Sequence, residues 1–226
     1  MSRSAWPVEL HGQTPGGQAL VLDALRRRDK HEWVEVRSRN RDWLGPWEAT
    51  SPEAEPQRVS FSGLVRHYNG EARAGRMVPL TIRLDGRLVG QVVLFGIAWG
   101  SLLSAAAGYW VDERVAGSGV APTALALAGD HAMLTMGLHR VEVNIRPENA
   151  RSLAVVRKLG FRDEGTRAAY LHISGSWRDH RTFALTTEDL GGHTLLERYV
   201  ERFHTDHIRH IGDTPPHLPG GEPSET

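Results

Sequence analysis

At 226 residues, the chain is long enough for one well-buried domain and short for two. Lysine plus arginine and aspartate plus glutamate number 27 each, so the chain lacks the net positive charge that holds a nucleic-acid backbone or an anionic membrane. It has no cysteine, which excludes disulfides, a thiolate nucleophile and cysteine-ligated zinc. We therefore expect one domain plus a tail, in a cytoplasmic protein that binds neither nucleic acid nor membrane.

The first third of the chain carries patterns for one strand and two helices. Residues 1–17 have no continuous apolar stretch and predict an irregular lead-in without a secretory signal. Residues 18–25 are a short apolar run that predicts a strand, and the charged stretch 26–41 predicts an exposed helix. After the turn-rich segment 45–56, residues 59–73 predict an amphipathic helix.

A tight hairpin is the clearest pattern in the next segment. Residues 77–84 and 88–96 flank Asp85-Gly86, a dipeptide that favours positive φ in a two-residue turn. The segment 88–111 has no charged residue over a length that could span a bilayer, but glycines, serines and a glutamine interrupt it. Two buried strands joined at a glycine turn account for this segment better than a membrane span does.

The second half of the chain alternates strand and helix patterns. The predicted elements are a strand over 105–111, a helix over 120–136, a strand over 141–145, a helix over 149–159, a hairpin of 170–173 and 182–186, and a helix over 194–209. Together with the earlier hairpin they predict an α/β (α+β) fold with a mostly antiparallel sheet. The domain is expected over residues 18–190, and the extension 191–226 is expected to be part helical and then disordered.

Residues 114–121 form a glycine loop between a predicted strand and a predicted helix. Gly117 and Gly119 let the backbone approach a bulky anion, and the first turn of the helix supplies free N–H donors and the positive end of its dipole. Pro122 suits the start of that helix, where its missing N–H costs nothing. The loop matches neither a P-loop nor a dinucleotide-binding motif, so a plain glycine turn is the alternative to a phosphate or pyrophosphate site.

Several motifs surround this loop in a fixed order. Arg114, Gly117 and Gly119 fit the pattern Arg/Gln-x-x-Gly-x-Gly/Ala. Further motifs are PWE at 46–48, HRVE at 139–142, RPENARS at 146–152, KLGF at 158–161, EG at 164–165 and WRDH at 177–180. From residue 18 to residue 190 the sequence thereby resembles the GNAT acetyltransferase superfamily, and within it the RimJ/RimL-like branch of ribosomal-protein N-terminal acetyltransferases.

The resemblance implies a GNAT-like fold, a mixed and mostly antiparallel twisted sheet flanked by helices, and acetyl-CoA as the acetyl donor, with no metal. It implies that loop amides take the pyrophosphate, that residues 109–111 pair with the pantetheine arm, and that Ser152 lies near the thiol. The implied cofactor-binding residues are Tyr109, Trp110, Val111, Arg114, Val115, Ala116, Gly117, Ser118, Gly119, Val120, Asn149 and Ser152. From the residues alone, Asn149 is also a good helix N-cap and Ser152 an ordinary first-turn serine.

Acetyl transfer to an amine requires a neutral nucleophile, a polarised thioester and a proton for the departing thiolate. Glu142 is the first candidate for the base, because strand alternation places it opposite Val141 and Val143 and it lies between the two cofactor motifs. A surface carboxylate is the alternative reading. Glu48, beside Trp47 in a turn-rich loop, is the second candidate, and it could instead bind the substrate ammonium or cap a turn.

Two positions depart from the family pattern. Val156 stands where many family members carry the tyrosine that protonates the thiolate, which leaves Ser152 or a water as the proton donor. Residues 170–172 lack the carboxylate that some relatives use as a base. Asp179 and His180, in the motif 177–180, could be read as a catalytic His-Asp pair. These four residues are interpreted as mostly structural, because no serine or cysteine is marked out as a nucleophile and direct transfer needs none. The five histidines of residues 193–217 are interpreted as scattered surface side chains and not as metal ligands.

The sequence therefore predicts an N-acetyltransferase that transfers acetyl directly to a primary amine, above all to the N-terminal α-amine of a ribosomal or other protein. Two alternatives stay open. One is acetylation of a small-molecule amine, because acceptor specificity lies in loops such as 41–56. The other is a catalytically silent module that binds acyl-CoA. The sequence also leaves open whether the protein forms a homodimer.

Overall fold

One sheet forms the centre of the fold. A computed structural model describes residues 6–53 and 59–212, with side chains up to residue 203. The strands are β1 (Leu10–Gln13), β2 (Ala19–Ala24), β3 (Met77–Leu84), β4 (Arg87–Ala98), β5 (Ser104–Val111), β6 (Arg140–Ile145), β7 (Arg162–Ile173) and β8 (Ser176–Thr186). They lie in the order β1-β2-β3-β4-β5-β6-β8-β7. Every neighbouring pair is antiparallel except β5 and β6, which are parallel.

Helices cover both faces of this sheet. They are α1 (Lys30–Arg39), α2 (Arg41–Leu44), α3 (Phe61–Arg73), α4 (Val120–Asp130), α5 (Ala150–Leu159), α6 (Thr187–Leu190) and α7 (Leu195–Gly212). Helices α4, α5 and α7 pack together against one face and enclose the main core. Helices α1 and α3 pack against β4 and β3 and enclose a smaller cluster around Trp33 and Val65. The predicted α/β (α+β) fold with a mixed, mostly antiparallel sheet is confirmed.

The two predicted hairpins are present. Asp85 and Gly86 adopt φ of 47° and 81° between β3 and β4, the two positive values that a type I′ turn requires. Ser174 and Gly175 do the same between β7 and β8. Both of these last strands are much longer than the sequence predicts. The reason is that β7 is exposed along most of its length, so it lacks the apolar alternation that identifies a strand.

Both ends of the described chain join the domain. Residues 10–13 form the edge strand β1 where the sequence predicts an irregular lead-in, because these four residues show no apolar alternation. At the other end, Leu195 and Tyr199 of α7 lie in the main core. Asp130, at the end of α4, accepts hydrogen bonds from the backbone N–H groups of Leu195 and Leu196 at 2.6 and 3.1 Å. These bonds cap the first turn of α7. Residues 213–226, where disorder is expected, lie outside the described residues.

The uncharged segment 88–111 forms most of β4 and all of β5. These strands pair antiparallel with each other inside the sheet, and most of their apolar side chains are buried or half-buried beneath the flanking helices. None of the described helices is long and apolar enough to cross a bilayer.

Candidate active site

A cleft opens where β5 and β6 separate. The two strands pair from Ser104 and Arg140 only as far as Ala106 and Glu142. Beyond that point, the end of β5 and the end of β6 line opposite walls of a cavity of about 880 Å³. This volume lies within the range of small-molecule and cofactor sites. Side chains from both faces of the sheet line the cleft, so it connects the side covered by α4 and α5 with the opposite side.

The glycine loop forms the end of the cleft next to α4. Gly117 and Gly119 both have φ of 87°, which favours glycine, and Gly119 is the N-cap of α4. A Cβ at Gly117 would meet no protein atom within 4 Å, whereas one at Gly119 would lie 2.9 Å from Cδ of Pro15. Gly117 therefore leaves open space for a ligand. Position 119 requires glycine for two reasons. Its φ is positive, and a side chain there would collide with Pro15.

A buried carboxylate holds the loop in place. Asp112 is 2% exposed and accepts hydrogen bonds from Nε and Nη2 of Arg39 at 3.0 and 2.5 Å and from Nδ2 of Asn40 at 3.0 Å. It also accepts from the backbone N–H of Arg114 at 3.3 Å, while Asn40 accepts from the N–H of Glu113 at 2.9 Å. Burial raises the pKa of Asp112, but the hydrogen bonds from Arg39 and Asn40 outweigh it and hold the pKa below its ordinary value. The loop thus begins from a fixed, charged anchor.

Most of the implied cofactor-binding residues line the cleft. They are Tyr109, Trp110, Val111, Val115, Ala116, Gly117, Gly119, Asn149 and Ser152. Arg114, Ser118 and Val120 do not. Val120 is 1% exposed in the main core, and the hydroxyl of Ser118 donates to the carbonyl of Val115 at 2.7 Å, where it closes the turn. The Arg114 side chain is exposed outside the cleft.

The N-terminus of α5 meets the end of β5 across the cleft. Asn149 is the N-cap, and its Oδ1 accepts from the backbone N–H of Ser152 at 3.1 Å. The hydroxyl of Tyr109 donates to the carbonyl of Ser152 at 3.4 Å. Burial raises the pKa of the Tyr109 phenol, which keeps it protonated around neutral pH. Two hydroxyl-bearing side chains, Tyr109 and Ser152, therefore lie together on the helix side of the cleft.

Aromatic side chains line the opposite side. They are Trp43, Trp47, Phe95, Trp110 and Tyr170. The loop that carries Trp47 is fastened to the rest of the site, because Arg146 donates to the carbonyl of Pro46 at 2.8 Å and stacks 5.4 Å from the ring of Trp47. Ala49 also forms a β-bridge to Ile173 at the end of β7. The segment expected to determine acceptor specificity thus forms a wall of the cleft.

The two predicted base candidates occupy different places. Glu48 lines the cleft and forms an ion pair with Arg37, whose guanidinium lies 5.1 Å from the ring of Trp110. Glu142 is not among the lining residues, and its carboxylate oxygens pair with Arg140 at 2.8 Å and Arg167 at 3.2 Å. The reason is that Glu142 lies opposite Ala106, where β5 and β6 are still paired. The structure therefore does not bring Glu142 to the cleft.

His180 and Gln91 line the cleft but were not identified as site residues from the sequence. His180 is 3% exposed, although it belongs to a motif interpreted as structural. Gln91 is 5% exposed, and its Nε2 is buried without a hydrogen-bond partner among the described residues. The place of these two side chains in the cleft could not be predicted from the sequence, because the inward direction of each side chain depends on the pairing of its strand.

Other sequence-based expectations concern residues away from the cleft. Val156, which stands in place of the family tyrosine, is fully buried in the main core. Of the five tail histidines the structure describes the side chain of His193, which is exposed. In the described part of the chain, no group of three or more histidine, aspartate or glutamate side chains could hold a metal ion.

Comparison with known proteins identifies the family. Residues 19–162 match the family described as acetyltransferase (GNAT) domain. The [ribosomal protein uS5]-alanine N-acetyltransferase of Escherichia coli is 29% identical over 176 residues, covering 75% of this chain and 89% of that protein. The probable N-acetyltransferase YjcK of Bacillus subtilis is 29% identical over 187 residues, covering 76% and 97%. Among solved structures, Mycobacterium smegmatis RimJ in complex with CoA-disulfide is 37% identical, with a TM-score of 0.80, covering 87% and 95%.

These matches agree with the geometry of the cleft. The family match covers more than half of the chain and includes the glycine loop, the separated strands and the N-terminus of α5. The open space at Gly117 and the free N–H groups of the first turn of α4 suit a pyrophosphate. The chain belongs to the GNAT acetyltransferase family and is an acetyl-CoA-dependent N-acetyltransferase.

Proposed function

We propose that this enzyme acetylates the N-terminal α-amine of a protein, with a ribosomal protein as the acceptor. The observation that supports the proposal is the cleft itself, which joins the glycine loop on one side of the sheet to a mouth lined by aromatic side chains and Glu48 on the other. The name of the Escherichia coli relative, an alanine N-acetyltransferase of uS5, supports this class of acceptor.

The donor half of the site follows from the loop and the separated strands. In this proposal the backbone N–H groups of Gly117, Gly119 and the first turn of α4 hold the pyrophosphate of acetyl-CoA. The other N–H groups of the loop, those of Val115, Ala116 and Ser118, already donate to the carbonyls of residues 112, 113 and 115. Beyond Ala106, the backbone groups of β5 that face β6 have no strand partner there. They can pair with the amide groups of the pantetheine arm, as an added strand would. The acetyl group then lies near Ser152 and Tyr109.

The chemistry of the amine favours an α-amine over lysine. An α-amino group has a pKa near 7.7 to 8.0 and a lysine near 10.4, so at neutral pH roughly a tenth of α-amines and well under a thousandth of lysines are neutral. Only the neutral form has the lone pair that attacks the thioester. An α-amine therefore needs less help from a base than a lysine does.

The carboxylate of Glu48 is expected to attract the acceptor ammonium. Replacing Glu48 with glutamine should raise the KM for a peptide acceptor about 10-fold with a smaller change in kcat, because the carboxylate acts in binding. Steady-state kinetics with acetyl-CoA at saturation measures both constants. Glu53→Gln, in the same loop and not lining the cleft, is the matched control and should leave the KM unchanged. An unchanged KM in Glu48→Gln would remove this residue from acceptor binding.

Ser152 is the proposed proton donor to the departing thiolate. Its hydroxyl has no hydrogen-bond partner among the described residues, whereas the hydroxyl of Tyr109 is engaged by the Ser152 carbonyl. Ser152→Ala should lower kcat roughly 10-fold or more with little change in the KM for acetyl-CoA. Tyr109→Phe removes the neighbouring hydroxyl and should cost about threefold or less. A larger loss in Tyr109→Phe than in Ser152→Ala would assign the proton to the phenol instead.

A panel of acceptors tests the function. The enzyme and acetyl-CoA are incubated with peptides that begin with alanine or serine, with polyamines and with free amino acids, and the released thiol is followed. The proposal expects release with the α-amine peptides. Release with the small amines alone would identify a small-molecule acetyltransferase. Binding of acetyl-CoA in calorimetry without any release would identify a silent acyl-CoA-binding module.

A further inference from the structure

We propose that His180 is the general base that removes the proton from the acceptor amine during acetyl transfer. This inference rests on the proposed function and adds a residue to it. Neither of the two carboxylates predicted as bases fits this role, because Glu142 lies outside the cleft and Glu48 is paired with Arg37. His180 lines the same cleft, and its position, tautomer and charge state all suit a base.

The position of His180 follows from the register of the sheet. In β8, His180 lies two residues from Thr182, so the two side chains point to the same face. Thr182 pairs with Asn144 of β6, and its Oγ1 donates to Oδ1 of Asn144 at 2.8 Å. Val141 and Val143, which alternate with Asn144, are buried in the main core on the helix side. His180 therefore lies on the opposite side, where the aromatic mouth admits the acceptor.

The tautomer of His180 is fixed by its strand. Nδ1 lies 3.0 Å from the carbonyl oxygen of Arg178, and a carbonyl oxygen can only accept a hydrogen bond. Nδ1 therefore carries the ring proton, and Nε2 carries a lone pair. No described residue donates a hydrogen bond to Nε2. Tyr170 contacts the imidazole edge-on, with the ring centroids 5.6 Å apart, and this contact holds the ring in orientation.

The surroundings of His180 keep the imidazole neutral. Burial lowers the pKa of His180, and the positive charge of Arg146 lowers it further. The hydrogen bond to the Arg178 carbonyl and the charges of Glu148 and Asp179 act in the opposite direction, but the pKa remains below its ordinary value. At neutral pH the side chain is thus ready to accept a proton, which is the state a general base requires.

The proton balance of the step is complete with this residue. The amine nitrogen forms a C–N bond with the thioester carbonyl carbon, and the nitrogen becomes positively charged. Nε2 of His180 takes one proton from that nitrogen. The C–S bond breaks, its electron pair leaves with sulfur, and the thiolate takes a proton on the helix side of the cleft. The imidazolium then returns its proton to solvent, so the net products are an amide and a free thiol.

The test is the pH dependence of kcat/KM in the wild type and in His180→Gln, with an α-amine peptide as acceptor. At pH 7 we expect the variant to lose roughly 100-fold. The slope of log(kcat/KM) against pH tests the role of His180 more specifically than the loss at pH 7 does. Below the pKa of the amine, log(kcat/KM) should rise with a slope of one in both proteins. Below the lowered pKa of His180 the slope should become two in the wild type only, because the imidazole must also lose a proton.

Matched controls separate a base from a structural residue. His139→Gln changes an exposed histidine that pairs with Glu188 and should keep the wild-type profile. Titration calorimetry with acetyl-CoA should give equal affinities for wild type and His180→Gln, which shows an intact fold. Added imidazole should partly restore turnover in His180→Gly. A slope of two in His180→Gln, or a loss below threefold, overturns the role of His180 alone, whereas a wild type inactive on every α-amine overturns the proposed function as well.

Discussion

Replacing Gly117 with glutamate is expected to raise the Kd for acetyl-CoA by on the order of 100-fold. A Cβ at this position meets no protein atom within 4 Å, so the new side chain enters the open space of the loop and not the protein interior. Its carboxylate then repels the pyrophosphate from the same site. A loss of this size corresponds to about 2.7 kcal/mol of binding free energy.

Two further variants isolate the charge in this experiment. Gly117→Gln has the same size as the glutamate variant and no charge, and Gly117→Asn tolerates the φ of 87° better than most residues. Titration calorimetry should rank the affinities as wild type, then Asn, then Gln, with Glu clearly the weakest. If Gly117→Glu binds acetyl-CoA as tightly as the wild type, the loop does not hold the pyrophosphate.

Replacing Asp112 with alanine is expected to lower the free energy of unfolding by about 3 kcal/mol. The substitution leaves Arg39 and Asn40 without their buried partner, and removing one member of a buried ion pair costs about 3 to 5 kcal/mol. Because Arg39 is partly exposed, we expect a loss at the lower end of this range. Urea unfolding measures the effect. Glu35→Ala is the matched control, because Glu35 pairs with the same Arg39 on the exposed side and should contribute under about 1 kcal/mol.

The same anchor predicts a dependence of stability on pH. Because the pKa of Asp112 is held below its ordinary value, its ionised form stabilises the folded state above the unfolded pKa of about 3.9. This contribution is lost as the pH falls through the lower folded-state pKa. The difference in unfolding free energy between wild type and Asp112→Asn should therefore be constant near neutral pH and shrink below about pH 4. A difference that grows in acid would contradict the assignment.

Features that depend on neighbouring residues could be predicted from the sequence. The hairpin at Asp85-Gly86 and the loop around Gly117 are examples, since a positive φ and a following helix are encoded by a few adjacent residues. The role of Asn149 as the N-cap of α5 is another feature that adjacent residues encode. The edge strand at residues 10–13 could not be predicted, because four residues without apolar alternation carry no periodic signal.

Features that depend on strand pairing could not be predicted. Glu142 and His180 lie on the same face of the sheet, yet only His180 lines the cleft. The difference arises because β5 and β6 remain paired at Ala106 and separate beyond it. The point of separation is a property of the whole sheet, and the motif around His180 does not indicate it.

The position of the transferred acetyl group tests the central claim most directly. A peptide that begins with alanine and contains one internal lysine is incubated with the enzyme and acetyl-CoA, and the product is sequenced by tandem mass spectrometry. The account predicts one acetyl group, on the N-terminal α-amine. An acetyl group on the lysine, or an unmodified peptide under conditions in which a polyamine is acetylated, would contradict it.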